Sequence, residues 1–292
     1  MIIVLPRQFR AKDLFPFFLA QFGNPVDVPK KVTFDFSMMS FVRPSGIVFL
    51  SNLSRFLLLH GSEVVFQGMN PNRECIRYLD DSGFFTAHMG NSLRDDCNVR
   101  STTMPLHRLA HTESHSWIGN ELLPWLSNHS KLPIDELLEF KTCMSEVFNN
   151  IVDHSKIDTG SIFSQWYPQE KKLQIAIADF GVGIPTTVRS KEPMHTDAEA
   201  IVRAFDDGFS AQSTPQNRGS ELYYLKQNIL DNLGGKLTIR SQNGAVDFTK
   251  SGNLLSCVPY EQKGFCPGTM IEIEIRTDQF AFESNNAEDF QW

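Results

Sequence analysis

The segment L-Q-I-A-I-A-D-F-G-V-G-I-P, residues 173–185, is the most informative stretch of this 292-residue sequence. Its apolar half predicts a buried strand that ends at Asp179. Gly181 and Gly183 follow at once, and glycine lets the backbone approach a bound molecule closely. A carboxylate at the end of a strand can accept a hydrogen bond from an exocyclic amine such as that of adenine. The segment therefore predicts a ligand-binding turn, and an Asp-initiated turn that only needs glycine is the alternative.

Three better-known nucleotide motifs do not fit this segment. The third glycine and the immediate helix of the dinucleotide fingerprint are missing. The sequence contains no G-K-[ST] and therefore no P-loop. Residues 179–181 do read D-F-G, but the catalytic loop and the β3 lysine of protein kinases are absent.

A long helix is predicted upstream, from the L-P-I-D start at residues 132–135 to about residue 154. At about 100° per residue, its apolar side chains share one face; they are Phe140, Met144, Val147 and Ile151. Glu146, Asn150 and Asp153 fall on an adjacent stripe. Carboxylate and amide oxygens suit Mg²⁺, which takes few protein ligands and completes its shell with phosphate and water. The helix therefore predicts a polar cleft wall, and a solvated helix face is the alternative.

Two further glycine-containing segments follow. Asn217-Arg218-Gly219 precedes a helix that begins near residue 221, and a helix start after glycine is a ready phosphate site. The triplet P-G-T at residues 267–269 opens the last predicted strand.

Taken in order, these four pieces resemble the GHKL ATPase superfamily, which includes gyrase-type topoisomerases, heat-shock chaperone ATPases, histidine kinases, mismatch-repair ATPases and anti-sigma-factor serine kinases. S-E-V-F-N-N-I-V-D-H at residues 145–154 resembles the N-box and is especially similar to that of the anti-sigma serine kinases. D-F-G-V-G resembles the G1 box. Residues 218–241, ending in L-G-G-K-L-T-I-R-S, resemble the G2 box with its following helix and strand, and P-G-T resembles the G3 element. The match covers about residues 133–277.

The resemblance implies ATP and Mg²⁺ as cofactors. Asn150 would hold Mg²⁺, and Glu146 would orient or deprotonate an attacking group as the catalytic residue. Asp179 would read adenine, supported by Thr269 through a water. The other residues implied in the nucleotide site are Asp153, Gly181, Gly183, Arg218 and Gly219, with a lid over about residues 186–218. The sequence departs from the family's G-x-G pattern at residues 219–221, where Glu221 adds negative charge near the expected phosphates.

The first region alternates strand and helix patterns, with strands at residues 32–36 and 63–66 and helices at 46–60 and around 75–79. F-D-F-S-M-M-S-F-V-R-P-S-G at residues 34–46 resembles a STAS domain, the fold of anti-sigma-factor antagonists. Pro44 stands where the phosphorylated serine of those proteins would align, beside Ser45. We therefore expect this domain to act as a fixed docking or dimerising surface. The alternative to a STAS domain is an ordinary β-loop-α unit.

The predicted fold class is α/β (α+β): an N-terminal STAS-like β-α-β-α domain followed by a GHKL two-layer α/β sandwich with a mixed sheet. The expected boundaries are an N-terminal lead segment at 1–29, the STAS-like domain at 30–95, a connector at 96–132, the GHKL ATP-binding domain at 133–280 and an acidic tail at 281–292.

Composition narrows the classes of partner. The net charge is −7, which gives no electrostatic footprint for duplex DNA or an anionic membrane. The apolar run at residues 46–60 is short and broken by Arg55, so no membrane span is predicted. Five scattered cysteines without C-x-x-C argue against a disulfide framework or zinc site and favour the cytoplasm.

These observations together predict an ATP-binding regulatory protein of the GHKL class. It would control a protein partner, reached through the STAS-like domain, by slow Mg²⁺-dependent ATP hydrolysis or by phosphoryl transfer to Ser or Thr. A non-catalytic module in which ATP gates a protein interaction is the alternative, and a histidine kinase is a weaker one because no phosphoacceptor helix pair precedes the domain. A homodimer is left open.

Overall fold

The computed structural model describes residues 1–23, 26–155, 159–209 and 221–278, without the side chains of His111, Cys266 and residues 152–155. The first half of the chain forms β1 (Ile2–Val4), β2 (Gln8–Phe9), α1 (Ala11–Phe22), β3 (Lys31–Asp35), β4 (Phe41–Val42), α2 (Pro44–Leu59), β5 (Glu63–Gln67), α3 (Glu74–Asp81) and α4 (Phe84–Met89). We call these elements the N-terminal unit.

The second half begins with β6 (Thr103–Ala110), α5 (His111–Trp117), a π-helical turn (Ile118–Leu122), α6 (Leu123–Ser130) and a 3-10 turn (Ile134–Leu137). It continues through α7 (Leu138–Ser155), β7 (Thr159–Tyr167), β8 (Lys172–Asp179), α8 (Ile184–Arg189), α9 (Asp197–Ala204), α10 (Glu221–Gln227), a second π-helical turn (Asn228–Asn232), β9 (Lys236–Ser251) and β10 (Leu254–Arg276).

Three sheets organise these elements, and the predicted α/β class is confirmed. The N-terminal unit contains a parallel sheet in the order β1-β3-β5 and a small parallel pair, β2-β4. The second half contains a five-stranded sheet in the order β6-β7-β8-β10-β9. Every neighbouring pair in this larger sheet is antiparallel within the described residues, where a mixed sheet was expected. The difference arises because β7–β8 and β9–β10 are hairpins that meet through an antiparallel β8–β10 pair.

The five-stranded sheet is covered on both faces. Strand side chains alternate between faces, so Ile175 and Ile177 of β8 pack in the core that contains α7. Ala176 and Ala178 point the other way and pack in the core of the N-terminal unit. The small alanine side chains lie where α2 contacts β7 and β8. The two halves of the chain therefore share one sheet.

Helix α2 packs against β7 and β8, and α1 packs against β10, so both helices join the two halves. Helix α2 begins at Pro44, which suits the first helical turn because proline lacks the N–H that would have no partner there. Most of the helix is buried. Helix α2 thus leaves little surface for the docking or dimerisation expected of this domain, and the Ser45 side chain is completely buried.

Two segments have more structure than the sequence suggested. Residues 96–132, expected to be a connector, supply β6 to the edge of the five-stranded sheet and helices that contribute Ile118, Leu122 and Leu126 to its core. Residues 1–29, expected as a lead segment, supply β1, β2 and α1 to the N-terminal unit. The mixed polar composition of 96–132 concealed its alternating strand, and the likeness of the N-terminal unit to a STAS domain stays a prediction.

No helix within the described ranges is both long and apolar enough to cross a membrane.

Candidate functional site

Helix α7 presents the two stripes that its sequence predicts. Phe140, Met144 and Val147 are buried in the core beneath the sheet. Glu146 and Asn150 are each partly exposed at the edge of that buried stripe. The Nδ2 of Asn149 donates a hydrogen bond to the Glu146 carboxylate over 3.2 Å, which restricts the rotation of that carboxylate. The helix therefore leaves one carboxylate and one amide, those of Glu146 and Asn150, partly accessible to a ligand.

Asp179 ends β8 as predicted, and its side chain is almost completely buried. Since Ile175 and Ile177 face the core that contains α7, strand alternation places Asp179 on that same side of the sheet. The Gly181 N–H donates to the Asp179 Oδ1 over 2.7 Å. Burial raises the pKa of Asp179 to about 7, although hydrogen bonds from the Gly181 and Thr269 backbone oppose the rise. A carboxyl group in this state can readily change its charge when a ligand binds.

Two glycines allow close packing between the turn after β8 and β10. The contact lies where β10 begins to pair with β8. Gly268 has φ +79°, and a Cβ built on it would lie 2.1 Å from the Asp179 carbonyl oxygen. Gly183 has φ +81°, and its Cβ would lie 2.7 Å from the Ser241 Oγ. Side chains are disfavoured at both positions, by conformation and by lack of space. The backbone therefore forms a tight cradle around Asp179.

Ser241 of β9, at which no role was predicted, joins β10 to the start of α8 beside this cradle. Its hydroxyl donates to the Gly268 carbonyl oxygen over 2.6 Å and accepts from the Ile184 N–H over 3.0 Å. Its Oγ also lies 3.3 Å from the Thr269 Oγ1. The signal was present in the sequence, because Ser241 ends the L-T-I-R-S strand that follows the G2-like segment.

The structure brings together four of the predicted site residues. Thr269 pairs directly with Asp179 in the antiparallel β8–β10 register, and Gly181 and Gly183 lie in the adjoining turn. Asn150 and Glu146 lie on α7, which packs on the same side of the sheet. Arg218 and Gly219 fall outside the described residues, as does the side chain of Asp153. The described part of the predicted lid contains α8 and α9, so much of it is regular helix.

The donor groups of the site fit Mg²⁺ better than a transition metal. Within the described ranges, no three His, Cys, Asp or Glu side chains come together as a metal cage. Asn150, the residue expected to hold the metal, offers a single amide oxygen, and the Glu146 carboxylate lies one helical turn away. Magnesium is commonly held in this way, by one or two protein oxygens together with substrate phosphates and water.

Comparison with known proteins agrees with this geometry. Residues 136–278 match the family described as histidine kinase-, DNA gyrase B- and HSP90-like ATPase. An anti-sigma F factor of Oceanobacillus iheyensis is 29% identical over 105 residues, which cover 32% of this chain and 71% of that protein. An anti-sigma F factor of Bacillus licheniformis is 27% identical over 104 residues, covering 32% of this chain and 70% of that protein. The buried Asp179, its glycine cradle and α7 all lie inside the matched range, and residues 136–278 belong to the histidine kinase-, DNA gyrase B- and HSP90-like ATPase family, the GHKL superfamily.

Proposed function

We propose that the protein binds ATP with Mg²⁺ in the site between α7 and the β8 turn, and that it controls a protein partner through slow ATP hydrolysis or phosphoryl transfer to Ser or Thr. The observation that carries the proposal is the buried Asp179 carboxyl group, which accepts from the Gly181 N–H at the strand end where the Asp179 backbone packs closely against Gly268. A buried acceptor with few competing partners suits the exocyclic amine of adenine.

Each predicted residue has a role in this proposal. Asn150 would hold Mg²⁺, which neutralises phosphate charge when it is bound. Glu146 would accept a proton from the attacking hydroxyl or water, because it is a partly exposed carboxylate on the same helix. Thr269 would support adenine recognition beside Asp179. Asp153, Arg218 and Gly219 would contribute to the part of the site that binds the phosphates.

The regulatory part of the proposal is supported by the two relatives, whose names describe anti-sigma factors. A protein partner would dock on the N-terminal unit, which we propose to be STAS-like. Since α2 is largely buried against β7 and β8, the partner would use another surface of that unit. A second copy of the chain is an alternative occupant of that surface.

The deciding experiment incubates the full chain with labelled Mg·ATP and follows ADP release and protein-bound phosphate. ADP, or phosphate on a Ser or Thr, would support the enzymatic proposal. Saturable binding without either product would favour a nucleotide-gated interaction module, and phosphohistidine would indicate a histidine kinase. Absence of ATP binding in calorimetry would contradict the proposal as a whole.

Replacing Asp179 by Asn should weaken binding of a non-hydrolysable Mg·ATP analogue by about tenfold or more, because hydrogen bonds to a charged group contribute about 1.5–3 kcal/mol. The amide is similar in size, so the unliganded fold should be retained. Calorimetry measures the affinity, and thermal unfolding without ligand serves as the control. Equal affinity in both proteins would remove Asp179 from the base-binding site.

Adenine binding should release protons through Asp179 below neutral pH. The free carboxyl group has a pKa of about 7, whereas an amine donor favours its ionised form. Affinity should therefore rise with pH up to about 7 and level off above it. In the free protein the same raised pKa stabilises the fold at low pH, and that contribution is lost between about pH 4 and 7.

The measurement is calorimetry of the ATP analogue at pH 6 in buffers of different ionisation enthalpy. ATP phosphates titrate in the same range, so the difference between wild type and Asp179→Asn isolates the Asp179 proton. Identical proton release in the two proteins would contradict the assignment.

A further inference from the structure

The two residues that flank Asp179 are both held by helices of the N-terminal unit. On one side, the Ala178 carbonyl oxygen accepts a hydrogen bond of 2.7 Å from the Asn52 Nδ2 of α2. On the other side, the Phe180 ring packs edge-to-face against three rings of α1 and α2, with centroids 5.4 Å from Phe49, 5.9 Å from Phe56 and 6.1 Å from Phe18. These partners lie outside the family-matched range of residues 136–278.

Asn52 has little freedom to move. Its side chain is buried, and its Oδ1 accepts a 2.7 Å hydrogen bond from the Ser161 Oγ. Ser161 of β7 lies directly opposite Ala178 of β8 in the sheet. The Asn52 amide therefore bridges two neighbouring strands from the N-terminal face of the sheet. Because both bonds are buried, they fix the orientation of the amide and the height of β8 below it.

We propose that Asn52 is a positioning residue for base recognition: with the ring cluster around Phe180, it holds Asp179 at the place where adenine must meet it. The proposal rests on the ATP-binding function proposed above. Recognition by a single buried carboxylate depends on its placement to within about 0.5 Å. Both neighbours of Asp179 contact the N-terminal unit. A change in that unit would therefore alter the affinity for the adenine base before it alters the affinity for the phosphates.

The test compares the full chain with Asn52→Ala in binding two non-hydrolysable Mg²⁺-nucleotide analogues, one of ATP and one of inosine triphosphate. Inosine carries a carbonyl oxygen where adenine carries its amine, so the affinity ratio reports the contact with Asp179. We expect the wild type to prefer the adenine analogue. Asn52→Ala should lower affinity for that analogue by about tenfold, the scale of one hydrogen bond, and leave inosine affinity nearly unchanged.

Two variants of the same helix separate positioning from stability. Ser54 is also buried, but its hydroxyl donates to the Leu50 carbonyl within α2. Leu57 is fully buried, and Leu57→Ala should lower the unfolding temperature through a cavity. Both Ser54→Ala and Leu57→Ala should keep the wild-type preference for adenine.

A double-mutant cycle gives the second readout. If Asn52 acts through Asp179, adding Asn52→Ala to Asp179→Asn should produce no further loss of adenine affinity. Equal weakening of both nucleotides, an unchanged ratio, or additive losses in the cycle would overturn the proposal.

Should Asn52→Ala fail to fold, Ser161→Ala provides the same test by removing the hydroxyl that orients Asn52. It should shift the ratio in the same direction by a smaller factor, and an unchanged ratio would overturn the proposal. A wild-type chain that binds ATP without preferring adenine overturns the positioning role and the assignment of Asp179 to the base, while ATP binding itself stands. A wild-type chain that binds no nucleotide overturns the proposed function, and the positioning role falls with it.

Discussion

Replacing Glu146 by Gln should lower ATP turnover by about 10²- to 10⁴-fold, the usual contribution of a positioned general base. The amide keeps the size of the side chain and its place beside Asn149, but it can no longer accept a proton. Binding of a non-hydrolysable Mg·ATP analogue should be largely retained. The measurement is ADP formation or phosphoprotein yield under single-turnover conditions, combined with calorimetry.

Asn150→Ala is the matched variant, one helical turn further along α7. It removes the proposed Mg²⁺ ligand, so nucleotide affinity should lose its dependence on Mg²⁺. The two variants thus separate chemistry from metal binding on the same helix face. Wild-type turnover in Glu146→Gln would exclude it as the base, and wild-type Mg²⁺ dependence in Asn150→Ala would exclude that residue as the ligand.

Replacing Gly268 by Ala should destabilise the protein by about 3 kcal/mol or more, through backbone strain and steric overlap together. The new Cβ would lie 2.1 Å from the Asp179 carbonyl oxygen, and the residue would have to keep φ +79°. Relief requires β10 to move away from β8 at the point where Thr269 pairs with Asp179. Urea unfolding should show the loss of stability, and adenine-nucleotide binding should weaken as well.

Gly61→Ala isolates the conformational part of this cost. Gly61 has φ +83°, but a Cβ there would meet no atom within 4 Å. It should therefore lose only about 1–2 kcal/mol, the cost of a left-handed residue. Equal losses in the two variants would mean that the contact between Gly268 and β8 relaxes without resistance.

The helix and the strand end that carry the proposed nucleotide site could be predicted because each has a strong local signal. The apolar stripe of α7 fixes the face on which Glu146 and Asn150 lie, and the apolar run before Asp179 places that residue at a strand end. The register that pairs Asp179 with Thr269 could not be derived from local pattern, since it joins residues far apart in the chain. The resemblance implied only that Thr269 supports Asp179 through a water, and it gave no strand pairing.

It was not predicted that the N-terminal unit covers the second face of the five-stranded sheet, although the sequence contains a pattern that indicates it. The alternation of Ile and Ala through residues 175–178 leaves no polar side chain for solvent, which is typical of a strand buried on both faces. Asn52 was hidden inside a helix that looked simply apolar, because its partners, Ser161 and Ala178, lie more than 100 residues away. Long-range polar contacts of this kind have no local sequence pattern.

The shared sheet has a thermodynamic consequence for any regulator of this protein. Coupling between two binding sites is reciprocal. If a ligand or partner loosens the packing of α2 on β8 and so weakens adenine binding, adenine must weaken the binding of that ligand or partner by the same factor. This coupling would act in both directions through the Asn52 amide and the Phe180 ring, which join the two halves. A nucleotide bound on one face of the sheet would therefore change the affinity of the N-terminal unit, on the other face, for its partner.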